Sequence, residues 1–364
     1  MKPIQLLFAA LLAFSFQMQA QSRYQYSAPT DRGDGWTTDH LQKMGIDTTG
    51  IESLFEQMAE GEHEIHSILL VKDGSLVLEE YFADQTTTTT HDLRSATKSI
   101  RSLLVGIALD KGIIQAIDDP ISKYLEDPIP QKNLDPRKET ITLRHLLTMS
   151  TGLDCNDWDK KSEGQEDRVY KKSDWLQYTL DLPMKHDPGT VPSYCSMGTV
   201  MLAEIVSQAS GMPIDQFANQ YLFEPLGISN VQWGHTSKKE VLPAAKRLYM
   251  TPRDMAKIGQ LILNKGTWNG TRIISEAWIE QSTTKQVTLA ESDYGFLWWN
   301  FPLGSEQRNF LSINAMGNGG QLIIVIPELE MVAVFSGGAY NSEKDRIPYM
   351  IVNNVFLPAL GHED

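Results

Sequence analysis

The chain has 364 residues, 41% of them apolar and 21% charged, an ordinary globular composition with length for one large domain or two closely packed lobes. Its 46 acidic side chains outnumber 32 basic ones, giving a net charge of −14 that disfavours nucleic acid or an anionic lipid surface as partner. Beyond the N-terminus no stretch reaches about 18 unbroken apolar residues, so no membrane span is expected in the mature chain.

The chain opens MKPIQLLFAALLAFSFQMQAQS. Lys2 supplies a short positive region, Leu6 to Phe16 is mostly apolar, and Ala20 is a small residue suited to cleavage. This pattern predicts a signal peptide over 1–20 and an exported protein, periplasmic or secreted. With no Cys near Ala20, a lipid anchor there is not expected. Removal of Lys2 with the leader leaves 31 basic against 46 acidic residues, a net charge of −15. Residues 21–45 read as an N-terminal extension, and 46–364 as the main domain.

The segment IHSILLVKDGSLVLEEYF (65–82) places two β-rich runs around Asp73-Gly74, a strong hairpin signal. Thr86 to Thr90 reads as a polar surface loop. From Ser95 to Lys111, Ile100, Leu103, Leu104, Ile107 and Ala108 form a helical stripe that closes at Gly112. ITLRHLLTM, GTVMLAEIVSQASG and TPRDMAKIGQLILNKG also read as helices, the last with a Thr cap and a Pro at its first position. Near residue 293 the character changes: YGFLWWNF, QLIIVIPE and EMVAVFSG are β-rich, and KDRIPYMIVNNVFLPAL predicts a terminal helix. Strands at both ends and helices between them predict an α+β fold. One antiparallel sheet would draw on about 46–90 and 290–364, and a mainly helical lobe on about 95–289, with a cleft between.

The two cysteines, Cys155 and Cys195, are either bridged or free thiols. In an oxidising compartment a bridge is favoured, and closing their 40-residue separation would stabilise by about 4 kcal/mol on the chain-entropy model.

RSATKSIRSLL (94–104) puts Ser95 and Lys98 three positions apart, on one face of the expected helix. Ser95 at the N-cap would stand beside free N–H groups and partial positive charge, which suits an alkoxide nucleophile and an oxyanion. An ordinary Lys titrates near about 10.4, so Lys98 serves as a base only where burial or positive neighbours lower that value. The same pattern recurs at Ser282 and Lys285, near an expected helix end with no apolar run behind it, and reads there as ordinary structure. In GTVPSYCSMGTVML (189–202), Tyr194 follows a Pro/Gly-rich loop and precedes a helix, so its hydroxyl can point into a cleft and act as a base near Lys⁺. In AMGNGGQLIIVIP (315–327), the glycines let backbone pass close to something, either at a cleft-lining strand or at a plain Asn-Gly turn. Tyr294, Trp298 and Trp299 are candidate acyl-pocket aromatics, against the alternative of strand packing. HEIH (63–66) lacks His-Glu-x-x-His spacing, no Gly-x-Ser-x-Gly elbow occurs, and no metal or cofactor is expected.

In this order and spacing, Ser95-Ala-Thr-Lys98, Tyr194-Cys-Ser196 and Asn318-Gly-Gly320 resemble the motifs of the serine β-lactamase and penicillin-binding-protein superfamily. The likeness is closest to its class C-like and 6-aminohexanoate-dimer-hydrolase-like branch. ITLRHLLTMSTGL, the 65–82 hairpin and TPRDMAKIGQLIL fit the same family, and the resemblance covers roughly 45–360. It implies a β-lactamase-like fold and acyl transfer. Ser95 would attack a carbonyl, Lys98 and Tyr194 would handle the proton, and Ser196, Asn318, Gly319, Gly320 and Gln321 would contact the substrate. Asn318 stands where many relatives carry Lys or His, and Ser196 where Asn is commoner. Both departures weaken β-lactamase or cell-wall peptidase activity and leave hydrolysis of a small ester or amide intact. The alternatives are a penicillin-interacting D,D-peptidase or weak β-lactamase, and a catalytically silent peptide- or glycan-binding module. A Cys155–Cys195 bridge would tie the Tyr194 loop to GLDCNDWD and fix the tyrosine.

Overall fold

Ile65–Lys72 and Ser75–Tyr81 pair as an antiparallel hairpin, and its turn residues Asp73 and Gly74 both have positive φ, 50° and 77°. That geometry matches the twist of the flanking strands, and glycine adopts it without steric cost. The computed structural model describes residues 24–60, 63–234, 247–305 and 307–361. The expected leader, 1–20, lies outside them.

The hairpin strands belong to a nine-stranded sheet. In chain order its strands are β1 (Thr37–Thr38), β2 (Ile65–Lys72), β3 (Ser75–Tyr81), β4 (Val287–Leu289), β5 (Ser292–Tyr294), β6 (Trp299–Gly304), β7 (Asn309–Gly317), β8 (Gln321–Ile326) and β9 (Met331–Gly337). Across the sheet the order is β1-β3-β2-β9-β8-β7-β6-β5-β4, antiparallel throughout except that edge strand β1 runs parallel to β3. The two ends of the chain therefore meet where β2 pairs with β9.

Every residue of β8 and β9 is buried, because both faces of the sheet are covered. Ile323, Val325, Val332 and Val334 face one core, while Leu322, Ile324, Ile326, Met331, Ala333 and Phe335 face the other. This is the alternation that a period of two imposes. The second face is covered by α1 (Thr49–Glu60), through Ile51, Phe55 and Met58, and by the helical segment ending at Ala359. The first face carries α2 (Thr97–Asp110), α3 (Leu143–Leu147), α4 (Ser196–Ser210) and α5 (Pro252–Leu263). A Cβ at Gly259 of α5 would lie 2.4 Å from Val332, so glycine there lets the helix approach the sheet.

The α+β architecture expected from the sequence is thus present, with two differences in detail. First, the middle of the chain is not all helical: His91–Asp92, Arg247–Met250 and Gln232–Gly234 form a three-stranded sheet. These strands are two to four residues long, too short to show a period of two. Second, Ser95 is not an N-cap. It lies in a 3₁₀ turn, Arg94–Ala96, and Ala96 precedes the first residue of α2.

Candidate active site

The turn that presents Ser95 is built by backbone that an ordinary helix start would not need. Leu93 N donates to Leu248 O at 2.9 Å, tying the turn to the small sheet. Arg94 then takes a left-handed conformation, φ 51°, which costs a non-glycine residue of order 1 kcal/mol or more. Its N–H bonds Asp92 Oδ1 at 2.9 Å, its Nε lies 3.1 Å from Asp92 Oδ2, and its guanidinium covers the Tyr340 ring at 4.6 Å. Gly317, ending β7, passes so close that a Cβ there would stand 2.2 Å from Leu93 O. The glycine-rich 317–320 stretch thus serves both as a hairpin turn and as a place of close backbone approach.

Lys98 Nζ donates to Ser95 Oγ at 2.9 Å. Lys98 is buried on α2 while Ser95 remains half-buried, so the pair faces an opening rather than bulk solvent. The second Ser-x-x-Lys pattern makes no such pair. Ser282 is fully buried and bonds Ile279 O, and Lys285 pairs with Asp293 at 2.6 Å.

Tyr194 meets the pair from α4's side, its ring centroid 4.9 Å from Lys98 Nζ. Trp158 stacks on it at 4.8 Å, and Trp299 lies 6.0 Å away. Of the three β5–β6 aromatics, Tyr294 and Trp298 are buried in the core, and Trp299 alone is half-buried beside Tyr194. Cys155 and Cys195 are bridged, with Cα atoms 5.4 Å apart.

A cavity of about 340 Å³ runs past Ser95, Lys98, Ser196 and Asn318, with Arg94 and Arg247 also on its wall. The two guanidinium groups share Asp92, each at 3.1 Å. Asn318 Nδ2 donates to Asn341 Oδ1 at 2.8 Å, and Asn341 N donates to Asn318 Oδ1 at 2.9 Å. Gly319, Gly320 and Gln321 do not line this cavity. The Gln321 side chain is fully buried and bonds the carbonyls of Gly337 and Gly319, because β8 is covered on both faces. A larger cavity of about 520 Å³, walled by Ile121, Leu125, Ile129, Leu134 and Leu153, lies away from Ser95 and has no serine–lysine pair. The serine–lysine pair lies on the smaller, polar one. Among the described residues no group of three or more His, Cys, Asp or Glu could hold a metal ion.

One group here escaped sequence reasoning. Asp157 accepts the Ser196 N–H at 2.8 Å, and burial pushes its carboxyl up to about 6 against the opposing pull of Lys98 and the Ser196 hydrogen bonds. Only its place two residues after Cys155 could have flagged it.

Residues 51–348 match the Beta-lactamase family model. The chain belongs to the Beta-lactamase family. It is therefore a member of the serine β-lactamase and penicillin-binding-protein-like superfamily, and a serine hydrolase by family. Among sequence relatives, the 6-aminohexanoate-dimer hydrolase of Paenarthrobacter ureafaciens is 26% identical over 284 residues, covering 73% of this chain and 70% of that one. Two solved structures share the fold. The octameric penicillin-binding protein homologue from Pyrococcus abyssi has a TM-score of 0.65 at 19% identity, covering 88% of this chain and 77% of that one. The class C beta lactamase from Rhodobacter sphaeroides has a TM-score of 0.62 at 16% identity, covering 83% and 97%.

Proposed function

We propose that the protein is an exported serine hydrolase that cleaves small ester or amide bonds through an acyl-enzyme on Ser95. The observation that carries this reading is the 2.9 Å contact from Lys98 Nζ to Ser95 Oγ at the wall of a polar cavity. Ser95 Oγ bonds to the substrate carbonyl carbon as its proton passes to the Lys98–Tyr194 pair. The same proton then goes to the leaving alcohol or amine as the scissile bond breaks. Water adds to the acyl carbon, releases the acid and returns the proton to Ser95. Backbone N–H groups of Ser95 and Asn318, both on the cavity wall, are assigned to the developing oxyanion, where one such donor is worth about 10²–10³ in rate.

Asn318 supports an ester or amide over a β-lactam, because its amide is neutral and both ends are engaged by Asn341. The relative named as a 6-aminohexanoate-dimer hydrolase supports hydrolysis of a small substrate. Export is supported by the Cys155–Cys195 bridge, since disulfides persist in oxidising compartments. The same reading takes 1–20 as a leader, 21–45 as an extension and 46–364 as the hydrolase domain.

A second reading, a penicillin-interacting D,D-peptidase, draws on Arg94 and Arg247, whose guanidinium groups on the cavity wall can hold a carboxylate. The test of the first is p-nitrophenyl butyrate turnover by mature protein beside Ser95→Ala. Turnover abolished by the substitution supports the acyl-enzyme, and equal rates in both proteins sink it. Labelling of Ser95 by a fluorescent penicillin, without ester turnover, moves the assignment to the second reading.

A further inference from the structure

The helix that follows Tyr194 lacks a cap of its own. Cys195 occupies the N-cap of α4, and its sulfur is committed to Cys155, so its side chain makes no capping bond. The free N–H of Ser196, first residue of the helix, is taken instead by Asp157 Oδ2, from 39 residues earlier in the chain. Such a carboxylate satisfies one orphan donor and sits where the helix dipole favours negative charge.

Around this bond the segments 155–158 and 193–196 are joined at every step. Ser193 Oγ donates to Cys155 O at 2.8 Å, Asp157 N donates to Tyr194 O at 2.8 Å, the disulfide joins 155 to 195, and Trp158 lies on the Tyr194 ring. A peptide framework this redundant keeps the loop folded without any charge. A neutral side chain would cap α4 at lower desolvation cost, yet the position carries a carboxylate whose other oxygen, Oδ1, is buried with no hydrogen-bond partner among the described residues.

We propose that Asp157 is a positioning residue of the hydrolytic site, whose ionised carboxylate caps α4 and holds Tyr194 and Ser196 against Lys98 for acylation of Ser95. This rests on the reading of Ser95 as nucleophile. The charged and titratable groups facing Asp157 are Lys98 from α2, and Glu166 and Tyr170 from the 166–170 segment. Lys98 favours the anion and Glu166 opposes it, while Tyr170 gives its hydroxyl to Glu166 at 2.9 Å. Burial outweighs the helix bond, so the carboxylate takes up its proton at about pH 6 rather than in the usual carboxylate range. Acylation then falls as the pH drops through that value, since protonation removes the charge from the cap.

The test is the rate at which a fluorophosphonate probe labels Ser95 between pH 5 and 8, with Ser95→Ala as blank. Asp157→Asn keeps an oxygen for the Ser196 N–H but no charge. It is expected to melt cooperatively near the wild-type temperature and to be labelled about tenfold more slowly at pH 8, without the acid limb near pH 6. Asp157→Glu, which restores the charge, is expected to restore the limb. Wild-type labelling rates in Asp157→Asn overturn the proposal, as does slower labelling with an unchanged limb, which would make Asp157 merely structural. Loss of a cooperative melt overturns it too, because the framework would then depend on the charge. Labelled wild-type protein that turns over no ester removes the ester reading and leaves this one standing. Unlabelled wild-type protein removes the nucleophile on which both rest.

Discussion

Trp158 lies flat on Tyr194, with ring centroids 4.8 Å apart and planes 4° from parallel. The indole is 56% exposed, so its own burial adds little to stability, while a stacked pair is worth about 0.5–1.5 kcal/mol beyond area. The contact acts on the tyrosine, whose ring centroid also lies 4.9 Å from Lys98 Nζ. Trp158→Ala is expected to lower kcat for p-nitrophenyl butyrate about tenfold, equivalent to about 1.4 kcal/mol. Its melting temperature should move by no more than a few degrees, and Trp158→Phe should recover most of the rate. A Trp158→Ala enzyme of wild-type kcat removes the stack from any part in positioning Tyr194.

The disulfide adds a covalent constraint to the same loop. By chain entropy its 40-residue closure contributes about 4 kcal/mol, and Cys155→Ser/Cys195→Ser should lose about that much in urea unfolding. The peptide bonds linking Ser193, Tyr194 and Ser196 to 155–157 remain in the double variant. Below its unfolding transition, activity should therefore fall only severalfold. A loss of more than about a hundredfold in folded protein would assign the bridge the main role in fixing Tyr194.

The sequence announces those parts of this site that depend on local pattern. Ser95 and Lys98 share a helical turn, Asp73-Gly74 dictates a tight hairpin, and the glycines at 317–320 signal a close approach whose partner turns out to be Leu93. What stays hidden is set by contacts between distant segments. The left-handed Arg94 depends on Asp92 and Tyr340, and Asp157 reads as a polar loop residue until α4 is seen to need a cap. Burial decides the rest. Tyr294 and Trp299 pair across β5 and β6, yet only Trp299 stays half-buried at Tyr194 while Tyr294 and Trp298 are buried, and Gln321 faces the core although its motif suggested a substrate contact.

Stability at acid pH should reflect a close pair of histidines, His91 buried and His66 half-buried. The rings of His66 and His91 lie 5.3 Å apart. Burial, then the neighbouring His66, pushes His91 down to about 4, and burial lowers His66 as well. The unfolded chain takes up these protons near pH 6.5, so the neutral pair's contribution is complete above that value and is lost as the pH falls toward 4. For His91 this amounts to no more than about 3 kcal/mol. His91→Gln, which keeps a polar group without titrating, is expected to lose less melting temperature than wild type between pH 7 and 4.5. An identical acid dependence in the two proteins would show that the histidines do not contribute.

Gly106 in α2 poses two opposed effects whose magnitudes decide the sign. Alanine there gains about 1 kcal/mol of helix propensity. Its Cβ, however, would stand 2.2 Å from the Trp278 ring, whose Nε1 donates to Ser102 O at 3.1 Å in the same helix. Trp278 is 4% exposed and packs on Phe296 at 5.4 Å, so the indole has nowhere to retreat without breaking that bond or shifting its own helix, Glu276–Thr283. Overpacking of this kind costs about 1–3 kcal/mol, and the lost hydrogen bond adds about 1 kcal/mol. Gly106→Ala is therefore expected to destabilise by about 1–3 kcal/mol in urea unfolding. Because the same helix carries Lys98 two turns earlier, a shift of α2 should also lower kcat, whereas a relocated Trp278 should leave it intact. A variant more stable than wild type would mean that propensity outweighs the clash, and that the tryptophan pocket is looser than its burial indicates.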